Sequence, residues 1–282
     1  MIFHYLKIAF RNLCKHKTQN IISIIGLAVG LLCFCVCIYC SRFVESTDHC
    51  FANHDRIAEL NLYDGKADRY FSGSPVPLAE DLRTWSLGET EAISSVTYPR
   101  ERPYYVELSP EKTLPYELET IEIDTCYNKI FTPEMVAGHW KMASQSLNSV
   151  ILSQSMAIKI FGNAESAIGK HMTLMRRLNT SPESTPKTGG IVYTIQAVMK
   201  DIPLNNSLDF MQNIDMLTVN DSEGLLQSPK RYNMTGANTY VLLSPQTTCT
   251  DLEKQFSKRD YTYTLYGEAY TVTASSMGAR LK

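Results

Sequence analysis

The sequence IISIIGLAVGLLCFCVCIY, residues Ile21–Tyr39, decides the architecture of this chain of 282 residues. It contains no charged side chain, and only Ser23 and Tyr39 interrupt its apolar character. An α-helix rises about 1.5 Å per residue, so about 20 apolar residues cross the hydrocarbon core of a bilayer. A buried helix of a soluble protein of this length would show a polar stripe. The stretch therefore predicts a transmembrane helix at residues 18–41.

A permanent anchor fits this apolar run better than a cleaved signal sequence. The core of a signal sequence is about 7–15 residues long and precedes a cleavage site of small residues. The run here is longer, and no such site follows it. Basic residues set the orientation, since Arg42 alone follows the run closely and four precede it: Lys7, Arg11, Lys15 and Lys17. This asymmetry predicts a single-pass membrane protein with a cytoplasmic N-terminus and an extracytoplasmic domain at residues 45–282.

Residues 1–17 are themselves patterned. Phe3, Leu6, Phe10 and Leu13 recur at steps of three and four, and the basic side chains occupy the opposite face. This pattern predicts a cytoplasmic amphipathic basic helix that lies in the membrane interface and contacts anionic lipid. A charged flank that only sets the topology is the alternative.

Two glycines in the run, Gly26 and Gly30, form a G-x-x-x-G pair. Such a pair permits close approach between membrane helices, so we expect this helix to pack against others.

The composition outside the N-terminal flank argues against nucleic acid as a partner. Beyond residue 17 the chain has 23 basic and 29 acidic residues, whereas nucleic-acid-binding domains are basic. Three cysteines fall in the predicted extracytoplasmic domain: Cys50, Cys126 and Cys249. An odd, widely spaced set does not make a disulfide framework, and one bridge with undetermined partners is the most that it allows.

The residues give no pattern for catalysis, a metal or a cofactor. Six residues separate Gly162 from Gly169, and His171 follows Lys170, so the segment is not an ATP-binding loop. The acidic residues of Glu80–Asp81 and of Glu117–Glu122 are interpreted as solvated helix and strand faces. His49, Cys50, His54 and Asp55 lie in one short stretch, but no second Cys/His pair supports a metal site. We therefore expect no enzyme activity.

Residues 45–282 predict an α+β fold in two lobes. Helices are expected at Pro77–Trp85, at Ser153–Phe161 with Ser153 as N-cap and Gly162 as stop, and at Thr250–Ser257 with Thr250 as cap. Arg177–Gly190 is expected to be a loop and Asn220–Asn238 a turn-rich linker. Strands are expected at Arg56–Tyr63, Val96–Tyr98, Tyr104–Leu108, Tyr116–Ile123, Val150–Leu152, His171–Met175, Ile191–Met199, Thr239–Leu243 and Tyr261–Thr273.

The chain resembles FtsX/MacB-type ABC transporter permeases of the Bacteroidetes kind. Tyr5–Leu31 is similar to the first helix and span of that family, in which a basic K-x-A-x-R-N-L start leads into an I-x-G-L-x-x-G span. Three more segments resemble the family in the same order. They are SPVPLAEDLR (Ser74–Arg83), SVILSQSMAIKIFGNAESAIGKHMTL (Ser149–Leu174) and YTIQAVMKDIPLNNSL (Tyr193–Leu208).

The resemblance implies a MacB-like periplasmic core domain anchored in the inner (cytoplasmic) membrane by the first transmembrane helix. It implies a permease subunit that passes motion from a separate cytoplasmic ABC ATPase subunit to the periplasmic domain, for export or efflux. Other permease helices or a second permease copy would be further partners. Such permeases carry at least three more spans, whereas Tyr261–Lys282 is polar, so the C-terminal FtsX-like transmembrane region is expected to be absent. The alternative is a single-pass, membrane-anchored extracytoplasmic sensor or binding module.

Overall fold

The structure is a computed structural model, and it describes residues 4–5, 11, 15, 17–71, 73–85, 87–109, 112–174, 190–208, 213–222, 224–227, 235–265 and 267–277. The chain divides into two compact units, residues 1–46 and 47–282. The predicted loop at Arg177–Gly190 lies outside the described residues except for Gly190.

The first unit contains helix α1 (Lys17–Glu45), which is long and apolar enough to cross a membrane. It has 29 residues, and none of them is buried. Its apolar side chains, such as Leu27 and Phe34, are exposed on all sides. A helix that is apolar all round requires an apolar environment. Residues 18–41, the predicted span, lie entirely within it.

The second unit is a mixed α/β domain. Its helices are α2 (Leu78–Arg83), α3 (Tyr127–Phe131), α4 (Trp140–Gln145), α5 (Gln154–Phe161) and α6 (Cys249–Lys258). The described residues form fourteen strands: β1 (Ile57–Asp64), β2 (Arg69–Phe71), β3 (Ser74–Pro75), β4 (Thr90–Thr97), β5 (Arg100–Ser109), β6 (Lys112–Ile123), β7 (Met135–Gly138), β8 (Ser149–Ser153), β9 (His171–Leu174), β10 (Val192–Met199), β11 (Met216–Val219), β12 (Thr235–Leu243), β13 (Thr262–Leu265) and β14 (Glu268–Ser276).

Six strands close on themselves into a barrel, which we call the barrel lobe. Going round the barrel, the order is β6, β11, β8, β10, β9, β5 and back to β6. The pairs β6–β11 and β8–β10 are parallel, and the others are antiparallel. Strand β8 is buried at all five positions because Val150 and Leu152 face the barrel core while Ile151 faces the centre of the domain. Continuous apolar runs such as VIL are typical of strands covered on both faces.

Five further strands form the sheet lobe, an antiparallel sheet in the order β4, β12, β1, β14, β13. Of the other three, β2 pairs with β1, β3 pairs with β12, and β7 pairs with β10 of the barrel. Helices α2 and α6 pack on it through Leu78, Leu82, Leu252 and Phe256. One registered pair, Val96 with Ile123, joins the sheet lobe to the barrel. Helices α3 and α4 fill a third core between the two lobes. The predicted two-lobed α+β fold is confirmed in this arrangement.

The structure also corrects several predicted elements. The stretch Tyr261–Thr273 is two strands, β13 and β14, because the chain turns at Gly267, which has a φ of +83°. Helix α6 begins at Cys249, so Thr248 and not Thr250 is its N-cap. The predicted linker at Asn220–Asn238 ends in the first residues of β12. By contrast, Ser153 caps α5 and Gly162 ends it in the left-handed conformation, as predicted.

Candidate functional site

The basic residues predicted to lie at the membrane interface fall in the first unit. Arg11, Lys15 and Lys17 are helical and exposed, and Lys7 lies outside the described residues. Gly26 and Gly30 lie four residues apart on the exposed surface of α1. Beyond the neighbouring backbone of α1 itself, neither has a described atom within 4 Å of the position that a Cβ would take. Their roles in lipid contact and helix packing stay predictions.

The domain begins with residues Thr47–Arg56, which we call the entry segment because it directly follows α1 in the chain. Asp48 is buried, with 3% of its surface exposed. Its carboxylate accepts hydrogen bonds from the backbone N–H of Ser207 at 2.6 Å and from the Ser207 hydroxyl at 2.5 Å. Its own N–H donates to the carbonyl of Asn205 at 3.0 Å. These three residues form a unit that we call the Asp48 latch.

The latch holds the entry segment to the loop at residues 203–208, which follows β10. Asn206 is fully buried and braces this loop from within. Its Nδ2 donates to the carbonyl of Pro203 at 2.6 Å, and its Oδ1 accepts from the N–H of Leu208 at 2.9 Å. The latch therefore reaches a loop with a fixed conformation.

Further contacts of the entry segment reach the other parts of the domain. The ring of Phe51 packs edge-on against Phe131 of α3, with 5.0 Å between the ring centroids. The Nδ2 of Asn53 donates to the carbonyl of Ile130 in the same helix at 3.2 Å. Arg56 donates to the carboxylate of Glu91 at 2.9 Å and to the carbonyl of Leu243 at 3.0 Å, which ties the segment to the sheet lobe.

A cavity of about 330 Å³ lies beside the entry segment. Cys50 is exposed as a residue but contributes to the lining of this cavity. Partial burial of its thiol and the nearby Asp48 raise its pKa to about 11, so this thiol stays protonated at neutral pH. An ion pair of 3.1 Å between Lys200 and Glu134 contributes to the cavity wall. The apolar part of the lining comes from Phe51, Phe131, Pro133, Ile202 and Pro203.

A buried polar network lies at the opposite end of β10 from the latch, inside the barrel lobe. Glu122 is 3% exposed, and its carboxylate accepts from the N–H groups of Leu225 at 2.6 Å and Leu226 at 2.9 Å. Burial and, to a lesser extent, the charge of Asp221 together raise the pKa of Glu122 to about 7, against the opposing effect of these bonds. Asp221 in turn accepts from the Tyr193 hydroxyl at 2.8 Å. Glu122 is therefore not part of a solvated strand face, which corrects the sequence interpretation.

Sequence reasoning missed both the latch and the network. Asp48 and Ser207 are 159 residues apart in the chain, and Glu122 and Leu225 are 103 apart. No local pattern marks such pairs. The only sequence signal for the latch was weak. It consists of a short polar residue, Asp48, soon after the span and the Asn-Asn-Ser turn at Ser207 much later in the chain.

The latch and the polar network are suited to holding segments of the chain together rather than to catalysis. The imidazoles of His49 and His54 lie 4.5 Å apart, and His54 contacts the carboxylate of Asp55 at 3.2 Å. Across the described ranges, no three His, Cys, Asp or Glu side chains are grouped so that they could hold a metal ion. The seven cysteines that fall in those ranges are free thiols.

A barrel lobe joined to a sheet lobe in this way defines a domain with a MacB-like fold, as comparison with solved structures shows. One similar structure is a domain from Porphyromonas gingivalis described as part of a permease. It is 20% identical, with a TM-score of 0.59, over 80% of this chain and 93% of the other. Another is the periplasmic region of MacB from Actinobacillus actinomycetemcomitans, 13% identical with a TM-score of 0.50, over 81% and 91% of the two chains.

The resemblance noted in the sequence is confirmed by these structures at the level of the fold. The domain at residues 47–282 has the fold of MacB-like periplasmic domains of ABC transporter permeases. Sequence comparison matches the chain to no family model and to no curated protein.

Proposed function

We propose that this chain is a permease subunit of an ABC transporter, and that it transmits motion from a cytoplasmic ATPase to a periplasmic domain for export or efflux. One observation carries this proposal: helix α1, which is apolar over the length of a bilayer, leads within two residues into a domain with a MacB-like fold. A helix transmits displacement along its axis because its backbone is hydrogen-bonded throughout.

The proposal assigns the chemistry of ATP hydrolysis to a separate ABC ATPase subunit. The subunit itself forms no covalent intermediate and acts mechanically. A single helix cannot line a translocation path, so we propose that α1 packs on other permease helices or on a second copy of this chain. Gly26 and Gly30 would lie at that contact. Lys7, Arg11, Lys15 and Lys17 would hold the N-terminal segment against anionic lipid on the cytoplasmic side.

The test is co-expression of the full chain with an ABC ATPase encoded by a neighbouring gene. We expect the ATPase to co-purify with the chain in nanodiscs and to hydrolyse ATP. Removal of residues 2–16 should weaken the coupling between ATP hydrolysis and the periplasmic domain. The reason is that the N-terminal segment and α1 are nearly contiguous in the chain. A chain that retains no ATPase under these conditions would contradict the proposal and favour a single-pass sensor.

A further inference from the structure

The entry segment reaches both lobes of the domain, but it reaches them in a fixed order. Asp48 lies three residues after the last helical residue, Glu45, and it is bonded to the loop that follows β10 of the barrel lobe. Phe51 and Asn53 come next and contact α3. Arg56 comes last and contacts the sheet lobe, just before the chain continues into β1.

From this order we infer that Asp48 is a positioning residue through which displacement of α1 reaches the barrel lobe before it reaches the sheet lobe. The inference deepens the proposed function and rests on it. A load on the end of α1 meets the latch before it meets any of the later contacts, because the latch comes first along the chain. Once the latch has opened, the load passes to the contacts of Phe51, Asn53 and Arg56, and only then to β1.

The latch has the strength that this role requires. A carboxylate that accepts two hydrogen bonds forms charge-assisted bonds, which are shorter and about twice as strong as neutral ones. The distances of 2.6 and 2.5 Å to Ser207 fall in this short class. Asp48 is buried, and removing hydrogen-bond donors from a buried carboxylate is costly. Opening the latch is therefore costly, and the entry segment stays bound to the loop at residues 203–208 under moderate load.

The backbone at Asp48 also supports a dedicated role. Its φ is +68°, in the left-handed region that few residues other than Gly, Asn and Asp adopt. This conformation lets both the N–H and the carboxylate of Asp48 bind the loop at residues 203–208. Asparagine tolerates the same conformation, so the variant Asp48→Asn removes the charge and one acceptor while it keeps the backbone.

The loop at residues 203–208 is connected so that it passes a displacement to the rest of the barrel lobe. The loop at residues 203–208 is braced by Asn206 and is joined by three residues to Met199, the last residue of β10. Strand β10 pairs with three strands, β7, β8 and β9. Because β8 and β9 belong to the closed barrel, a displacement of this loop is shared by the barrel lobe as a whole.

The experiment applies force to the full chain in bicelles with magnetic tweezers. Handles are attached through an unnatural amino acid at Glu45 and at exposed Lys258 in α6, since the native cysteines rule out thiol attachment. We expect a first, small opening event when the latch breaks, followed at higher force by unfolding of the domain. With Asp48→Asn, the rate of the first opening at a given force should rise about tenfold or more. Ser207→Ala, which removes the hydroxyl donor, should raise it several-fold.

Asn53→Ala is the matched control, because it removes a bond that lies behind the latch. It should leave the rate of the first opening unchanged. None of the three variants should change the force of domain unfolding by as much as Asp48→Asn changes the force of the first opening. A first opening that is insensitive to Asp48→Asn, or that responds equally to Asn53→Ala, would overturn the inference. Neither result depends on the ATPase, so failure of the latch and failure of the permease assignment are distinguishable.

Discussion

Glu122 shows at the scale of one residue how a carboxylate changes its behaviour when a distant loop covers it. Its pKa rises from 4.5 to about 7, first because of burial and then because of Asp221. The folded state therefore binds more protons than the unfolded state between these two values. The free energy of unfolding is largest below the lower value and falls as pH rises through the higher one, by about 3 kcal/mol for one such group.

This dependence predicts that the full chain in detergent loses stability between about pH 4.5 and pH 7. Glu122→Gln cannot titrate, so its stability should fall less over the same range. Thermal unfolding of both proteins at several pH values measures the difference. If the two curves run parallel, Glu122 does not have the raised pKa.

Gly138 is a position where the backbone leaves no room for a side chain. A Cβ there would lie 2.2 Å from the carbonyl oxygen of Gln196 in β10, and the φ of Gly138 is +70°. Gly138→Ala should therefore destabilise the domain by at least about 3 kcal/mol, through steric overlap with β10 and the left-handed backbone together. Chemical denaturation measures this loss.

Gly162 provides the control for that substitution. It ends α5 with a φ of +86°, but a Cβ there meets no described atom within 4 Å. Gly162→Ala should cost only the backbone strain, about 1–2 kcal/mol. Equal losses for the two variants would mean that the close approach of Gly138 to β10 has no effect on stability.

At the scale of the element, α6 depends on a capping box that begins at Thr248, two residues before the N-cap predicted from the sequence. The hydroxyl of Thr248 accepts from the N–H of Asp251, and the Asp251 carboxylate accepts from the N–H of Thr248. Thr248→Ala should destabilise the domain by about 1 kcal/mol, since it leaves an end of the helix unsatisfied. Thr250→Ala, at the position originally predicted as the cap, should change stability by less than about 0.5 kcal/mol. The ranking of these two variants in urea unfolding decides which threonine is the cap.

Elements with strong local signals were predictable from the sequence, and short or doubly covered ones were not. The apolar run of α1, and the serine and glycine that bound α5, each carry their own information. Helix α3 has five residues, and its burial against Phe51 decides its structure. Strand β11, with four residues, forms because β6 and β8 lie on either side of it. The latch and the network could not be predicted because they join segments more than a hundred residues apart.

At the scale of the whole molecule, the orientation of α1 determines which side of the membrane the domain occupies. The basic residues before α1 predict an extracytoplasmic domain. A reporter enzyme that is active only outside the cytoplasm should therefore be active when it is fused after residue 60 or residue 282. Activity only of a cytoplasmic reporter at residue 282 would contradict this topology.

The cysteines of the domain give an independent measurement of the same orientation. Cys50 is exposed, whereas Cys126 and Cys249 are half-buried. A membrane-impermeant maleimide should label Cys50 in intact spheroplasts. The rate should increase with pH because the thiolate reacts and the pKa of Cys50 is about 11. The variant Cys50→Ser should lose most of this labelling, and labelling that requires lysis would place the domain inside.

The single registered pair between β4 and β6, Val96 with Ile123, has a consequence for how this domain can change over generations. The barrel satisfies its own backbone hydrogen bonds by closing on itself, and the antiparallel sheet satisfies most of its own through four neighbouring pairings. Lengthening a strand in one lobe therefore leaves the ladder of the other intact. The two lobes are free to diverge at different rates, each adapting its outer surface to a different neighbour, as long as the apolar residues of the shared central core keep their total volume.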